Sequence, residues 1–177
     1  KVPAGEGRDI HGAVGIWTVD VANLALAAEQ ELLQPVSSTE LETAVPARLR
    51  DPADRWFGLS ERARVIIYNT GKVTPAELST YAALGASRWK DRICFRTSTS
   101  AYTQSLVASF IAHDGPEKAS AVLEGWMAND PQILANDPEI VRTVAAGGCD
   151  VGITNHYYVG RELAKDPGLP VGVFFPD

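Results

Sequence analysis

An α/β fold built on a largely parallel sheet is the expectation for this chain, and three observations lead to it. Short runs rich in β-branched and aromatic residues recur at 64–68, 93–96, 149–154 and 169–175. Between them lie longer segments whose apolar residues return at helical spacing. Capping and turn residues stand at the junctions. Strands that alternate with helices run the same way, because each helix carries the chain back across the sheet before the next strand starts.

Residues 15–19 read as a short buried strand. Asp20 is placed to cap a helix over 21–33, where Leu24, Ala27, Ala28 and Leu32 recur at helical spacing, and Pro35 ends it. The stretch 37–57 is polar and broken by prolines, apart from a short helix around 38–44. Residues 64–68 (RVIIY) form a strand, turned by Asn69-Thr70-Gly71. Thr74-Pro75-Ala76-Glu77 opens a short helix, with threonine as cap and a carboxylate near the positive helix end. A strand at 93–96 then leads through a hydroxyl-rich turn, 97–100, into a helix with Tyr102, Leu106, Val107, Phe110 and Ile111 on one face. Gly115-Pro116-Glu117 starts the next helix, with Ala119, Val122, Leu123 and Trp126 inward. Asp137-Pro138-Glu139 caps another, which stops at Gly147-Gly148. A strand at 149–154 follows, Asn155 caps the helix bearing Tyr157 and Tyr158, and 169–175 is the last strand. The chain shows no internal repeat.

Composition removes several classes of function. A length of 177 residues suits one domain or a piece of a larger two-lobed protein. The net charge of −6 gives no electrostatic footprint for nucleic acid. No apolar run approaches the roughly eighteen residues of a membrane span, so membrane insertion is not expected. The opening Lys1-Val2-Pro3-Ala4-Gly5-Glu6-Gly7 is not a signal peptide. GxSxG, HExxH, GxGxxG after a strand and the P-loop are all missing, and no carboxylate pair sits in a buried segment; an enzyme is not expected. Cys94 and Cys149 are the whole thiol inventory, and their spacing is unlike CxxC. Each lies in a short apolar run, which suits two buried thiols or a disulfide between neighbouring strands.

The chemistry concentrates in tyrosine. Tyr157 and Tyr158 are adjacent in Asn155-His156-Tyr157-Tyr158, and Tyr102 follows Arg96-Thr97-Ser98-Thr99-Ser100-Ala101. A phenol has a free pKa of about 10 and is a poor ligand while protonated. A hard trivalent cation displaces the proton and gains an anionic oxygen, and three phenolates would nearly neutralise Fe(III). Both tyrosine elements have one design: strand end, polar turn, helix N-terminus, the place where open α/β sheets bind ligands. The unpaired N–H groups there attract anions, so Ser98, Thr99, Ser100 and Ala101 suit a small anion, with Arg96 or one of Arg62 and Arg64 adding a bidentate fork. His156 has no second histidine at ligand spacing and reads as a satisfied or surface residue. Two readings compete with iron: rings simply packed in the core, and a metal-free anion or small organic solute held at the same helix N-termini.

Taken together, the sequence resembles the periplasmic ferric-ion-binding proteins, the substrate-binding subunits of bacterial iron ABC importers. The resemblance rests on Thr18-Val19-Asp20 through Leu32-Leu33-Gln34-Pro35-Val36, on Trp56-Phe57-Gly58-Leu59-Ser60-Glu61-Arg62-Ala63-Arg64-Val65 and on Trp89-Lys90-Asp91-Arg92-Ile93-Cys94. It continues through the 96–108 segment and through Ala145-Ala146-Gly147-Gly148-Cys149-Asp150-Val151 into Asn155-His156-Tyr157-Tyr158. It implies a two-lobed venus-flytrap fold, with part of the first lobe and the crossover in 1–60 and the second lobe in 61–177. It implies Fe(3+) held by Tyr157 and Tyr158, with Tyr102 as the third ligand of a tyrosine-rich subtype. A synergistic anion, carbonate or another small one, falls on Thr99, Ser100, Ala101 and Asn155, approached by Arg62. The resemblance also implies a Cys94–Cys149 disulfide, delivery of iron to an inner-membrane ABC permease, a monomer, and a periplasmic place or a lipid anchor on the outer face of the cytoplasmic membrane.

The chain departs from that pattern in three places. Val19 stands where some relatives carry a glutamate ligand, with Asp20 one residue later. His11-Gly12-Ala13-Val14-Gly15 replaces their Ser-Pro-Ala-Asp-Val. Relatives also carry sequence before the point matching Lys1 and a long return after Asp177, so the chain reads as a second lobe with part of a first.

Overall fold

The computed structural model describes residues 15–176, so the altered segment at His11 to Val14 lies outside the described residues. The chain divides into two compact units, one running to Glu61 and the other starting at Arg62.

In the first unit, helix α1 (Val21–Glu29) starts where expected. The Asp20 carboxylate accepts the Asn23 backbone N–H at 3.2 Å, satisfying one of the donors a helix start leaves unpaired. It ends well before Pro35, however. Glu31 adopts φ 56°, and this left-handed residue, not the proline, breaks the hydrogen-bond ladder. The expected buried strand at 15–19 does not form: these residues take no regular structure, and Gly15 to Thr18 are exposed. Helix α2 (Thr39–Ala44) is capped by the Ser38 hydroxyl, which accepts the Leu41 N–H at 3.3 Å. The proline-broken stretch is organised by Asp51. Its carboxylate accepts the Ala53 N–H and two guanidinium bonds from Arg55, and Arg55 in turn donates to the Ala28 carbonyl at 3.0 Å.

The second unit is a five-stranded sheet of β1 (Arg64–Asn69), β2 (Ile93–Arg96), β3 (Gln132–Leu134), β4 (Val151–Asn155) and β5 (Val171–Phe174), in the order β3-β2-β4-β1-β5. Helices α3 (Ala101–Asp114), α4 (Pro116–Met127), α5 (Asp137–Ala145) and α6 (His156–Lys165) connect them. Strand β2 is parallel to β3 and β4, while β1 is antiparallel to both β4 and β5. Four strands thus share one direction, as helical crossovers require, and the sheet is mixed because β1 is inserted the opposite way. The 75–77 segment is a single 3-10 turn whose Glu77 carboxylate reaches back to the Thr74 N–H at 2.8 Å. Strand β3 was not anticipated; three residues after a proline give too short a pattern to read.

The two faces of the sheet carry different helices. Ile66, Tyr68, Phe95 and Ile153 pack with Leu106 of α3 and Trp126 of α4 on one side. Val65, Ile67 and Cys94 pack with Ile140, Val141 and Val144 of α5 and Val159 of α6 on the other. Strand β1 is buried on both faces, which is why its sequence is a continuous apolar run. Cys94 of β2 and Cys149 are disulfide-bonded, with Cα atoms 5.8 Å apart. No described helix is long and apolar enough to cross a membrane.

Candidate metal centre

One end of this sheet collects the residues with chemistry. Register pairs Arg64, the first residue of β1, with Asn155, the last of β4, and Arg96 ends β2 on the same side. Three helices begin there: α3 after β2, α5 after β3 and α6 after β4. Tyr102 lies in the first turn of α3; Tyr157 and Tyr158 lie in the first turn of α6.

The three phenols meet and perturb one another. The Tyr157 and Tyr158 rings stack with centroids 4.3 Å apart. Hydrogen bonding to Tyr157, then burial, holds the Tyr102 phenol above its ordinary pKa, and the same pair of causes pushes Tyr158 up strongly. Burial also pushes Tyr157 up, but hydrogen bonds from Tyr158, Tyr102 and Asn155 and the charge of Arg62 outweigh it, so Tyr157 titrates low. Coupled in this way, the three phenols titrate as a set. No group of three His, Cys, Asp or Glu side chains able to hold a metal occurs among the described residues.

Cations surround this cluster. Arg96, Arg62 and Arg64 stand 5.1, 5.6 and 6.0 Å from the Tyr102 ring centroid, and Arg62 Nη1 donates to the Tyr102 hydroxyl at 3.3 Å. Arg161, one turn along α6, lies 5.6 and 5.9 Å from the rings of Tyr157 and Tyr158. Of these cations, Arg62 favours the phenolate forms of Tyr102 and Tyr157.

The expected anion residues are distributed more unevenly. The Ser100 hydroxyl caps α3 by accepting the Tyr102 N–H at 3.3 Å, with Ala101 as the first helical residue. The Thr99 hydroxyl pairs with Thr97 at 3.2 Å. Asn155 occupies the N-cap position of α6 without capping it. Its side chain instead donates to the Tyr157 hydroxyl at 3.5 Å and accepts from Arg64 at 3.3 Å. His156 is satisfied: its Nδ1 accepts the Ala63 N–H at 3.2 Å.

Sequence reasoning missed Asp137. Its place before Pro138 suggests a cap, yet Asn136 caps α5 and Asp137 turns inward, wholly buried. Its carboxylate pairs with both Arg64 and Arg96 and accepts the Thr154 hydroxyl at 2.9 Å and the Asn155 N–H at 3.2 Å. Burial pushes this carboxyl up, but Arg64, Thr154 and Arg96 hold it below the ordinary carboxylate range. The available signal was two arginines on apolar strands, which a sheet tolerates only beside a buried countercharge.

Fold and site define a periplasmic-binding-protein-like α/β unit with a phenol cluster at its strand ends. No family model matches the chain. It is 46% identical over 171 residues to Iron uptake protein A1 of Synechocystis sp., covering 92% of this chain and 47% of that protein. Among solved structures, a Trichodesmium protein in complex with iron and citrate ligands superposes with a TM-score of 0.78 at 42% identity, over 85% of this chain and 50% of the other. The ferric binding protein from Campylobacter jejuni superposes at 0.82 with 34% identity, over 89% of this chain and 52% of that one. The chain is similar to bacterial ferric-ion-binding proteins, and it spans about half the length of the relatives it matches.

Proposed function

We propose that this chain binds ferric iron through the phenolates of Tyr102, Tyr157 and Tyr158 and serves an iron importer. The observation that carries this reading is the convergence of three mutually interacting phenols ringed by arginines, in a chain whose described residues offer no other metal-capable group. Three phenolates offset the charge of Fe(III) but leave positions open on an ion that prefers six ligands. A synergistic anion, carbonate or another small one, fills them from the α3 N-terminus with Thr99, Ser100, Ala101, Asn155 and Arg62. In this reading the unit from Arg62 onward is most of a second lobe and the unit before it is part of a first. The whole protein works in the periplasm, free as a monomer or lipid-anchored on the outer face of the cytoplasmic membrane, and hands iron to an ABC permease. It performs no catalysis, in line with the binding and transport roles of its relatives.

The test is a visible spectrum taken with and without ferric citrate. Tyrosinate–Fe(III) charge transfer colours the solution orange to red; a colourless protein after loading sinks the ferric reading. One observation favours a second reading, binding of an anion without metal: Arg62 has no carboxylate within 4 Å among the described residues. Anion binding measured by calorimetry in metal-free protein, with no colour on adding iron, would select it.

A further inference from the structure

Tyr102 and the Tyr157–Tyr158 pair hang from helices on opposite faces of the sheet. Helix α3 belongs to the layer of Leu106 and Trp126, and α6 to the layer of Val159. Helix packing therefore cannot bring the phenols together; they meet only over the sheet's end. Nor do the strands alone fix that meeting. The β2–β4 ladder pairs Ile93 with Val151 and Cys94 with Gly152, and it stops there. Beyond it β2 runs on paired to β3, with Arg96 opposite Leu134, while β4 runs on paired to β1, with Asn155 opposite Arg64. The sheet is split at the end that bears the site.

The Asp137 side chain sits in that split. It takes Arg96 from the β2 side, and Arg64, the Thr154 hydroxyl and the Asn155 N–H from the β1 and β4 side. Three of these four partners lie on the strands that lead into α3 and α6, and Arg64 lies on β1, which pairs with β4. It also consumes charge. Three guanidiniums approach the Tyr102 ring, and the buried Asp137 carboxylate is shared by two of them. Resting on the ferric reading above, we propose that Asp137 is the positioning residue of the phenol site, closing the split sheet end so that Tyr102 reaches Tyr157, and neutralising Arg64 and Arg96 so that, of the three guanidiniums at Tyr102, Arg62 is left to meet the incoming anion.

A buried carboxylate with two arginines is a poor device for stability alone, since an apolar replacement of the set is often neutral or better. Its value here is geometric. The variant Asp137→Asn keeps the shape and removes the charge; Thr154→Val removes a single hydrogen bond and serves if the first does not fold. Two readouts are taken on the 177-residue chain. Without metal, ring-proton nuclear Overhauser contacts between Tyr102 and Tyr157 are present in the wild type and are weakened or lost in the variants. With iron supplied as ferric citrate, the charge-transfer band of Asp137→Asn loses intensity or shifts, and citrate competition shows at least a tenfold loss of ferric affinity, with a smaller loss in Thr154→Val. Variants that melt earlier but keep wild-type ring contacts, band and affinity per folded molecule overturn the proposal, leaving Asp137 a stabilising residue only. A wild type that never colours, with ring contacts still lost in the variants, overturns the ferric reading and leaves the positioning role standing.

Discussion

Tyr157 is the phenol of the three held below its ordinary pKa, because hydrogen bonds from Tyr158, Tyr102 and Asn155 and the charge of Arg62 outweigh its burial. Replacing it with phenylalanine keeps the ring and removes the proposed anionic ligand. Tyr157→Phe and Tyr158→Phe should each lower ferric affinity by more than about tenfold, the equivalent of roughly 1.4 kcal/mol, with the fold unchanged by circular dichroism. Wild-type iron retention in both, measured by citrate competition, would rule the phenolates out. Asp137 makes a prediction about the fold itself. Its folded pKa lies below the unfolded value of about 3.9, so its contribution is fully present above that pH and is lost as pH falls toward the folded value. Asp150 behaves alike, held down by Arg92 and Lys72 against the effect of burial. The melting temperature should therefore decline as pH drops below about 4. Asp137→Asn should be less stable at neutral pH and show a shallower decline; an unchanged slope would show that the carboxylate carries no linkage.

Strands and helices here are joined so that their ends, more than their lengths, set the chemistry. The close β2–β4 seam depends on Gly152, where an added Cβ would come 2.7 Å from Ile140 Cγ2 and 3.1 Å from the Cys94 carbonyl. Gly152→Ala should destabilise the second unit by about 1–3 kcal/mol, the usual cost of overpacking, with a matching fall in the denaturant midpoint; no change would mean that α5 can move off the sheet. The disulfide ties the same seam, joining Cys94, the partner of Gly152, to Cys149 just before β4, 55 residues apart in sequence. In the chain-entropy model such a loop contributes about 4 kcal/mol. Reduction, or Cys94→Ser with Cys149→Ser, should lower unfolding free energy by up to that amount. Unreduced, unfolded protein should show no thiol with Ellman's reagent, and two free thiols would contradict the bond.

Over the whole molecule the relevant fact is that the chain spans about half of its relatives. On the proposed ferric reading, three phenolates from one unit would leave an open coordination sphere for an exogenous anion to complete. Ferric affinity should then rise steeply with bicarbonate and fall as pH drops, because protons compete for every phenolate. Titrations that are flat to bicarbonate and to a two-unit fall in pH would reject an open site.

What the sequence determined by itself was local. The apolar run of β1, the Asp20 and Ser38 caps and the glycine stop after α5 are written in residues whose preferences act over a few positions. The helix-start position of all three tyrosines was legible for the same reason, and resemblance to ferric-ion binders supplied their proposed role. Nothing local marked the reversal of β1, since strand direction depends on which strands it pairs with. The end of α1 at Glu31 instead of Pro35 turned on one left-handed residue. The place of Asp137 was decided only by tertiary structure. A carboxylate ahead of a proline at a helix start is an ordinary cap until three strand ends surround it with two guanidiniums, a hydroxyl and an N–H, groups spread from Arg64 to Asn155 along the chain.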